Sequence, residues 1–162
     1  MARRNRQGGV AAVEFAILLL FVLLPVLFGV LEFGRMMYEY NTITKATRDA
    51  ARLMSTQTPT DSDYPALVTS ARNLAVYGNQ AGTGAPLLPG LTTAMVSMCD
   101  PASCPSTHSS VPTGTGVINL VTVTIGGPNN PYLFNFLTPL AVVFGSGTLN
   151  FGATSVTMQQ VI

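Results

Sequence analysis

The residues whose types and spacing could support chemistry lie near the N-terminus. Gly8-Gly9 precedes Val10, and Glu14 follows Val10 by four residues, which puts the two on one face of a helix. If the chain were cut after Gly9, Val10 would carry a new α-ammonium. That cation could pair with Glu14 of its own helix or of an adjacent one. Either pairing would offset the desolvation of both groups, and the second would set register between subunits. A glycine before the scissile bond suits a protease that takes backbone in an extended form, because it has no side chain to clash.

Elsewhere the chain is poor in reactive groups. Only 9% of its residues are charged, against roughly 25% in an ordinary soluble domain. After Arg72 the only formal charge is Asp100. A hydrolase or metalloenzyme needs titratable groups in its outer domain, and this one offers a lone His108. Cys99 and Cys104, the only cysteines, are spaced to staple a loop by a disulfide in an oxidising compartment. They lack the C-x-x-C spacing of a thiol oxidoreductase. With His108 and Asp100 nearby a metal site can be drawn, but as an improvised ligand set, so no metal and no cofactor is expected. The net charge of +1, with a basic cluster confined to Arg3, Arg4 and Arg6, gives no footprint for nucleic acid. The composition reads as part of an assembly, not as a catalyst.

The element that positions Gly9, Val10 and Glu14 is a membrane helix. Residues 15–31, FAILLLFVLLPVLFGVL, carry no charge, and the apolar stretch extends back to Val10 with Glu14 as its one interruption. At 1.5 Å per residue, residues 10–31 cover about 33 Å, close to the hydrocarbon thickness of a bilayer. Three arginines before it and the mixed Glu32/Arg35/Glu39 set after it predict a cytoplasmic N-terminus. A cleaved secretory signal would have a shorter apolar core ending in a small-x-small site, which Gly29 and Gly34 do not provide. The residues after Arg3-Arg4 also lack the apolar pair of a twin-arginine signal. Glu14 inside such a helix costs roughly 2.5–3.5 kcal/mol at mid-bilayer and less near the interface. It is either a functional carboxylate or one that reaches interfacial water. Pro25 removes the hydrogen bond to the carbonyl of Phe21 and can kink or loosen the helix.

The run Arg-Arg-x-Arg-x-Gly-Gly, four residues, Glu14-Phe15 and a hydrophobic helix resembles the class III signal of type IV pilins and pseudopilins. Residues 7–53 in particular are similar to the TadE-like family of minor pseudopilins of the tight-adherence (Flp) pilus system. The C-terminal LNFGATSVTMQQ is a weaker likeness, to the family's closing strand. The resemblance implies cleavage between Gly9 and Val10 by a prepilin peptidase, and a role for Glu14 and Phe15 in subunit register or recruitment. It implies as partners the bacterial inner membrane, other pilins and pseudopilins, and the pilus assembly platform, with an outer domain in the periplasm or on an extracellular pilus. Loss of Arg3, Arg4 and Arg6 would turn the formal charge negative and leave no cationic tail to hold the helix in the membrane.

The expected fold class is α+β and pilin-like: a long N-terminal helix, half in the membrane, packed on a small antiparallel sheet. The expected divisions are a leader at 1–9, a transmembrane half at 10–31, an extracytoplasmic half at 32–56 and an α+β domain at 57–162. In the outer half Met36, Tyr40, Ile43, Thr47, Ala50 and Met54 recur at spacings of three and four. A second helix is predicted over Tyr64–Tyr77, capped by Asp61, Ser62 or Asp63, with Pro65 in its first turn, Gly78 at its end and Ala66, Leu67, Ala71, Leu74 and Ala75 on its apolar face. Thr93–Met98, Val117–Ile125 and Thr148–Val161 read as strands, Tyr132–Phe144 as a short helix split at Pro139 or another apolar element, and 105–116 as an exposed loop. Two rival functions remain open on sequence: an uncleaved single-pass envelope protein whose outer domain binds a partner, and a small secreted hydrolase behind a signal peptide.

Overall fold

The structure, a computed structural model, describes residues 8–137 and 147–160. Helix α1 (Gly8–Met54) is continuous and runs on through Pro25. Apart from Glu14, its first half is apolar on all sides. The most hydrophobic 18-residue window has a mean hydropathy of 2.8, and none of it is buried within the fold. A helix apolar all round needs an apolar medium, and here the chain's own core does not supply one.

From Glu32 onward α1 has an inside and an outside. Ile43, Ala46, Thr47, Ala50, Ala51 and Met54 are buried, continuing a line that begins with Glu32 and Glu39. Thr47 tolerates this place because its hydroxyl donates to the Ile43 carbonyl at 2.8 Å. The stripe expected from the sequence began with Met36 and Tyr40. Met36 is only half-buried and Tyr40 is exposed. At that level the buried face is taken by two acids, which a hydrophobic count does not register.

Helix α2 (Tyr64–Tyr77) packs on α1. Pro65 fits its first turn, where a missing N–H costs nothing. Gly78 closes it in the left-handed region, at φ 72°, with its N–H bonded to the Leu74 carbonyl. Asp63 stands at the cap position without a side-chain cap bond. Asp61 instead accepts the Thr58 N–H at 3.2 Å in the preceding turn. Ala71, Ala75 and Val76 face inward while Ala66 is exposed, so the apolar face is rotated from the expected one.

The remaining elements form the sheet layer. Strand β1 (Val96–Cys99) follows a 3-10 turn at Thr93–Met95, so it starts later than the sequence suggests. Residues 105–116 are not a plain loop: they contain a helical turn, α3 (Pro105–His108), and β2 (Val111–Thr113). The central strand is β3 (Gly116–Ile125). It alternates as its sequence does, with Val121, Val123 and Ile125 buried against α1 and α2. Two further strands, β4 (Leu133–Asn135) and β5 (Thr148–Asn150), form a separate pair. The apolar segment from Tyr132 therefore begins as a strand, and its expected division at Pro139 lies outside the described residues. The run from Thr148 is two strands, not one. Gly152, at φ 75°, breaks it, and β6 (Thr154–Gln160) resumes beside β3. Val161 is outside the described residues.

All pairings among the described residues are antiparallel. Strand β6 pairs with residues 119–125 of β3, β1 with 122–125 and β2 with 116–118, while Leu133–Asn135 pairs with Thr148–Asn150. Helix α1 lies on β3 and β6. The result is the α+β, pilin-like arrangement of a long N-terminal helix on a small antiparallel sheet.

Candidate functional site: the apolar helix and the charged clamp at its exit

Gly9, Val10, Glu14 and Phe15 all lie on the first turns of α1, exposed along one uncovered rod. A Cβ at Gly9 would meet nothing within 4 Å, so space does not require glycine there. Pro25 lies mid-helix on the same rod. These residues share an element, but the fold brings none of them to Cys99 and Cys104.

The first charge after the apolar stretch opens a clamp that sequence spacing understated. Arg35 reaches back to Glu32 Oε2 at 2.8 Å and forward to Glu39 Oε1 at 3.1 Å. Both carboxylates are only 5% exposed. Each uses one oxygen for Arg35 and gives the other to the β4–β5 hairpin. Glu32 Oε1 accepts the Leu137 N–H at 2.8 Å, and Glu39 Oε2 accepts the Tyr132 hydroxyl at 2.8 Å. Arg35 also donates to the Asn135 carbonyl and stacks over Phe134, 4.2 Å from the ring centroid. Phe151 closes the patch against Tyr40, Tyr132 and Phe134. The sequence shows the i,i+3 and i,i+4 charges, which read as a surface pair. The signal that they are internal is the lack of any other charge for the aromatic C-terminal half to pair with.

A second junction ties the far end of α1 to the sheet. Gln160 Nε2, at the end of β6, lies 2.9 Å from the Gln57 carbonyl and 3.1 Å from the Tyr64 hydroxyl, with the Met54 carbonyl at 3.3 Å. Tyr64 donates to Asp100 Oδ2 at 2.6 Å. Asp100 Oδ1 accepts from the Ser103 amide and hydroxyl at 2.7 and 2.6 Å. The loop holding Asp100 is closed by a disulfide between Cys99 and Cys104, Cα atoms 5.5 Å apart. So short a loop limits the entropic gain to about 2 kcal/mol. His108 stands 3.4 Å from Cys99 Sγ and donates to or accepts from Thr122 at 2.8 Å. Cys99, Cys104 and His108 are close enough to hold a metal ion. While the disulfide is intact both sulfurs are committed to each other, and the trio offers only an imidazole.

Three groups of these junctions titrate away from their ordinary range. Burial, then the hydrogen bond to Asp100, raises the Tyr64 phenol, against a smaller opposing effect of Gln160. Burial, then the bond to Glu39, raises Tyr132. Burial alone would raise Asp100, but its bonds from Ser103, Tyr64 and the backbone together outweigh burial and hold it below 3.8. Both phenols therefore stay donors and Asp100 stays an acceptor across the neutral range.

Among known protein families, residues 9–52 match the TadE-like protein family. The chain carries a TadE-like segment. No curated protein and no solved structure matches it. The matched segment is the helix itself, from the uncovered N-terminal turns through the clamp and into the core contacts of Ile43–Ala51. The TadE-like segment supports involvement in the tight-adherence pilus system. Among the described residues one helix, α1, is long and apolar enough to cross a bilayer, which supports a single-pass membrane protein.

Two measurements test the junctions. Arg35→Met leaves two buried carboxylates facing each other, and should cost about 3 kcal/mol in urea unfolding in micelles. Adding Glu39→Gln should recover part of it. A loss under about 1 kcal/mol would mark the triad as a solvent-screened surface pair. The second concerns pH. A phenol raised above its ordinary 10.0 loses its proton first in the unfolded chain, so its stabilisation is complete below pH 10 and declines above it. A carboxyl held below 3.8 contributes fully above that pH and declines below it. The urea midpoint should therefore be flat between these limits and fall on both sides. Tyr64→Phe with Tyr132→Phe should lower the plateau and flatten the alkaline fall.

Proposed function

We propose that this chain is a minor pseudopilin of the tight-adherence pilus and secretion system, made as a precursor and cut between Gly9 and Val10 by a prepilin peptidase. It is the substrate of that enzyme, not a catalyst. The observation that carries this reading is Glu14, the one formal charge in residues 8–31, set four residues after Val10 on the half of α1 that no other described part of the fold covers. A carboxylate left there without a cation is costly. The α-ammonium of a new N-terminus at Val10 supplies that cation at the right spacing, within the subunit or from its neighbour.

In this reading residues 1–9 are a discarded leader, 10–31 the temporary membrane anchor and 32–56 the extracytoplasmic continuation of the helix. Residues 57–162 are the periplasmic domain. The N-terminus faces the cytoplasm, the membrane is the inner one, and the subunit helps to initiate or cap a filament with other pilins on the assembly platform. The uncovered helix supports the last step: once out of lipid, its apolar surface requires other helices to cover it.

N-terminal mass spectrometry of protein from native membranes tests the cleavage. With a prepilin peptidase present the mature chain should begin at Val10, and without it at Met1 or Ala2. Intact residues 1–9 in peptidase-competent cells would leave an uncleaved single-pass protein, and a start beyond residue 29 a secreted domain. Glu14→Ala should insert in the membrane as the parent does but co-purify poorly with other pilins. Normal assembly by that variant would reduce Glu14 to an interfacial residue.

A further inference from the structure

The turn that carries the disulfide brings three metal-binding donors to one point. Cys99 ends β1, at the register position opposite Thr122 of β3. Cys104 precedes α3 and His108 ends it, four residues apart and on one side of the turn. The His108 N–H bonds the Cys104 carbonyl at 3.0 Å, and the Cys104 N–H bonds the Asp100 carbonyl at 2.8 Å. These backbone bonds shape the turn independently of the covalent link. The two sulfurs and an imidazole nitrogen lie within 4.8 Å of one another, with Cys99 Sγ 3.4 Å from His108 Nδ1. Thiolate and imidazole donors around one tetrahedral zinc stand about 3.5–3.8 Å apart.

The support behind the histidine separates this trio from a chance cluster. His108 Nε2 lies 2.8 Å from Thr122 Oγ1, which lies 2.7 Å from Thr157 Oγ1 on β6. The register of β3 with β6 makes the two threonines direct neighbours. With its proton on Nε2 the ring donates to Thr122, whose hydroxyl donates on to Thr157. Nδ1 then holds the free lone pair, and it is the nitrogen that faces Cys99. A metal-binding histidine characteristically donates its other N–H to a fixed acceptor, which sets its tautomer and ring angle. The spacing of the ligands in the sequence does not show these threonines. Thr107 Oγ1 also lies 2.8 Å from Nδ1, but Thr107 is exposed and can exchange that bond for water. Asp100 is not a fourth ligand, because Tyr64 and Ser103 occupy its carboxylate. The three donors are half-buried, so water completes the coordination.

We propose that in its dithiol state the chain binds one Zn2+ through Cys99 Sγ, Cys104 Sγ and His108 Nδ1, and that the ion closes the 99–104 loop in place of the disulfide. Every chain is made with two thiols, so this state precedes the oxidised one. Binding displaces both thiol protons to solvent, and the neutral imidazole adds a lone pair. Disulfide formation releases the ion. A disulfide oxidant takes two electrons from the thiolates and two protons from solvent, and leaves as a dithiol. Either link keeps Asp100 in place beneath Tyr64. The proposal is independent of cleavage after Gly9.

The test uses the full chain in micelles, reduced with a phosphine, freed of it without oxygen, and titrated with Co2+ as a coloured stand-in for Zn2+. One Co2+ per chain should bind with a strong thiolate-to-cobalt band in the near ultraviolet, and Zn2+ should displace it. The oxidised chain should show no such band. His108→Ala and Thr122→Val should each weaken binding roughly tenfold or more, while Thr122→Ser, which keeps the hydroxyl, should bind as the parent does. A reduced chain without the band would overturn the proposal. So would unchanged affinity in His108→Ala, which marks simple chelation by two thiols. Thr122→Ser as weak as Thr122→Val would assign the loss to strand packing and count against the threonine support. A reading that needs no variant is alkylation by iodoacetamide, which Zn2+ should slow several-fold at both cysteines of the reduced chain. Equal alkylation with and without Zn2+ would also overturn the site.

Discussion

A helix that passes from hydrocarbon into a protein core has to exchange one solvent for another without interrupting its backbone hydrogen bonds. In this chain the exchange happens within two turns, at Glu32, Arg35 and Glu39. Before them α1 has no inside, because lipid makes the same demand on every face. After them it has a buried face of small residues, and Ala46, Ala50 and Ala51 let β3, β6 and α2 approach closely. The triad marks the boundary and also determines what is attached there.

Buried ion pairs are poor sources of stability, since the desolvation of each charge offsets most of the attraction. The triad fits that accounting only because its oxygens are shared. Each carboxylate gives one oxygen to the guanidinium and the other to a hairpin donor, Leu137 N–H or Tyr132 hydroxyl. An apolar replacement could pack as well, but it would not specify which residue of the hairpin stands at which turn of the helix. Register between two elements a hundred residues apart is what this arrangement supplies.

How much of this was legible in the sequence depends on the range of the interaction. Local signals served well. Pro65 and Gly78 bounded α2, and the alternation of VINLVTVTI marked β3. The long uncharged run defined the apolar half of α1. Reading failed where a local pattern had two meanings. The run from Thr148 alternates like a single strand, but Gly152 turns it, and its halves join different partners. Tyr132–Phe144 is apolar enough for helix or strand, and pairing with Thr148–Asn150 decides for the strand at its start. Arg35 with Glu32 and Glu39 has the spacing of a solvated helix pair, and only the folded hairpin buries it. Tyr64, Asp100 and Gln160 meet across separations of 36 and 96 residues, which no periodicity can announce.

The two junctions act on α1 from opposite ends of its outer half. Near the membrane the hairpin is bound at residues 32–39, and at the far end Gln160 is bound to Met54 and Gln57 while Tyr64 is held by Asp100. Between them lies the continuous apolar contact of Ile43–Met54 with the sheet and α2. A force applied to the apolar half of α1 is therefore delivered to the domain along its whole length, not through a single flexible link. The disulfide fixes only the short Cys99–Cys104 loop, and that loop supports Asp100 and through it Tyr64. For a helix whose first half is left uncovered by its own fold, this coupling matters more than raw stability. The helix cannot be moved or turned without carrying the domain to a defined position beside it.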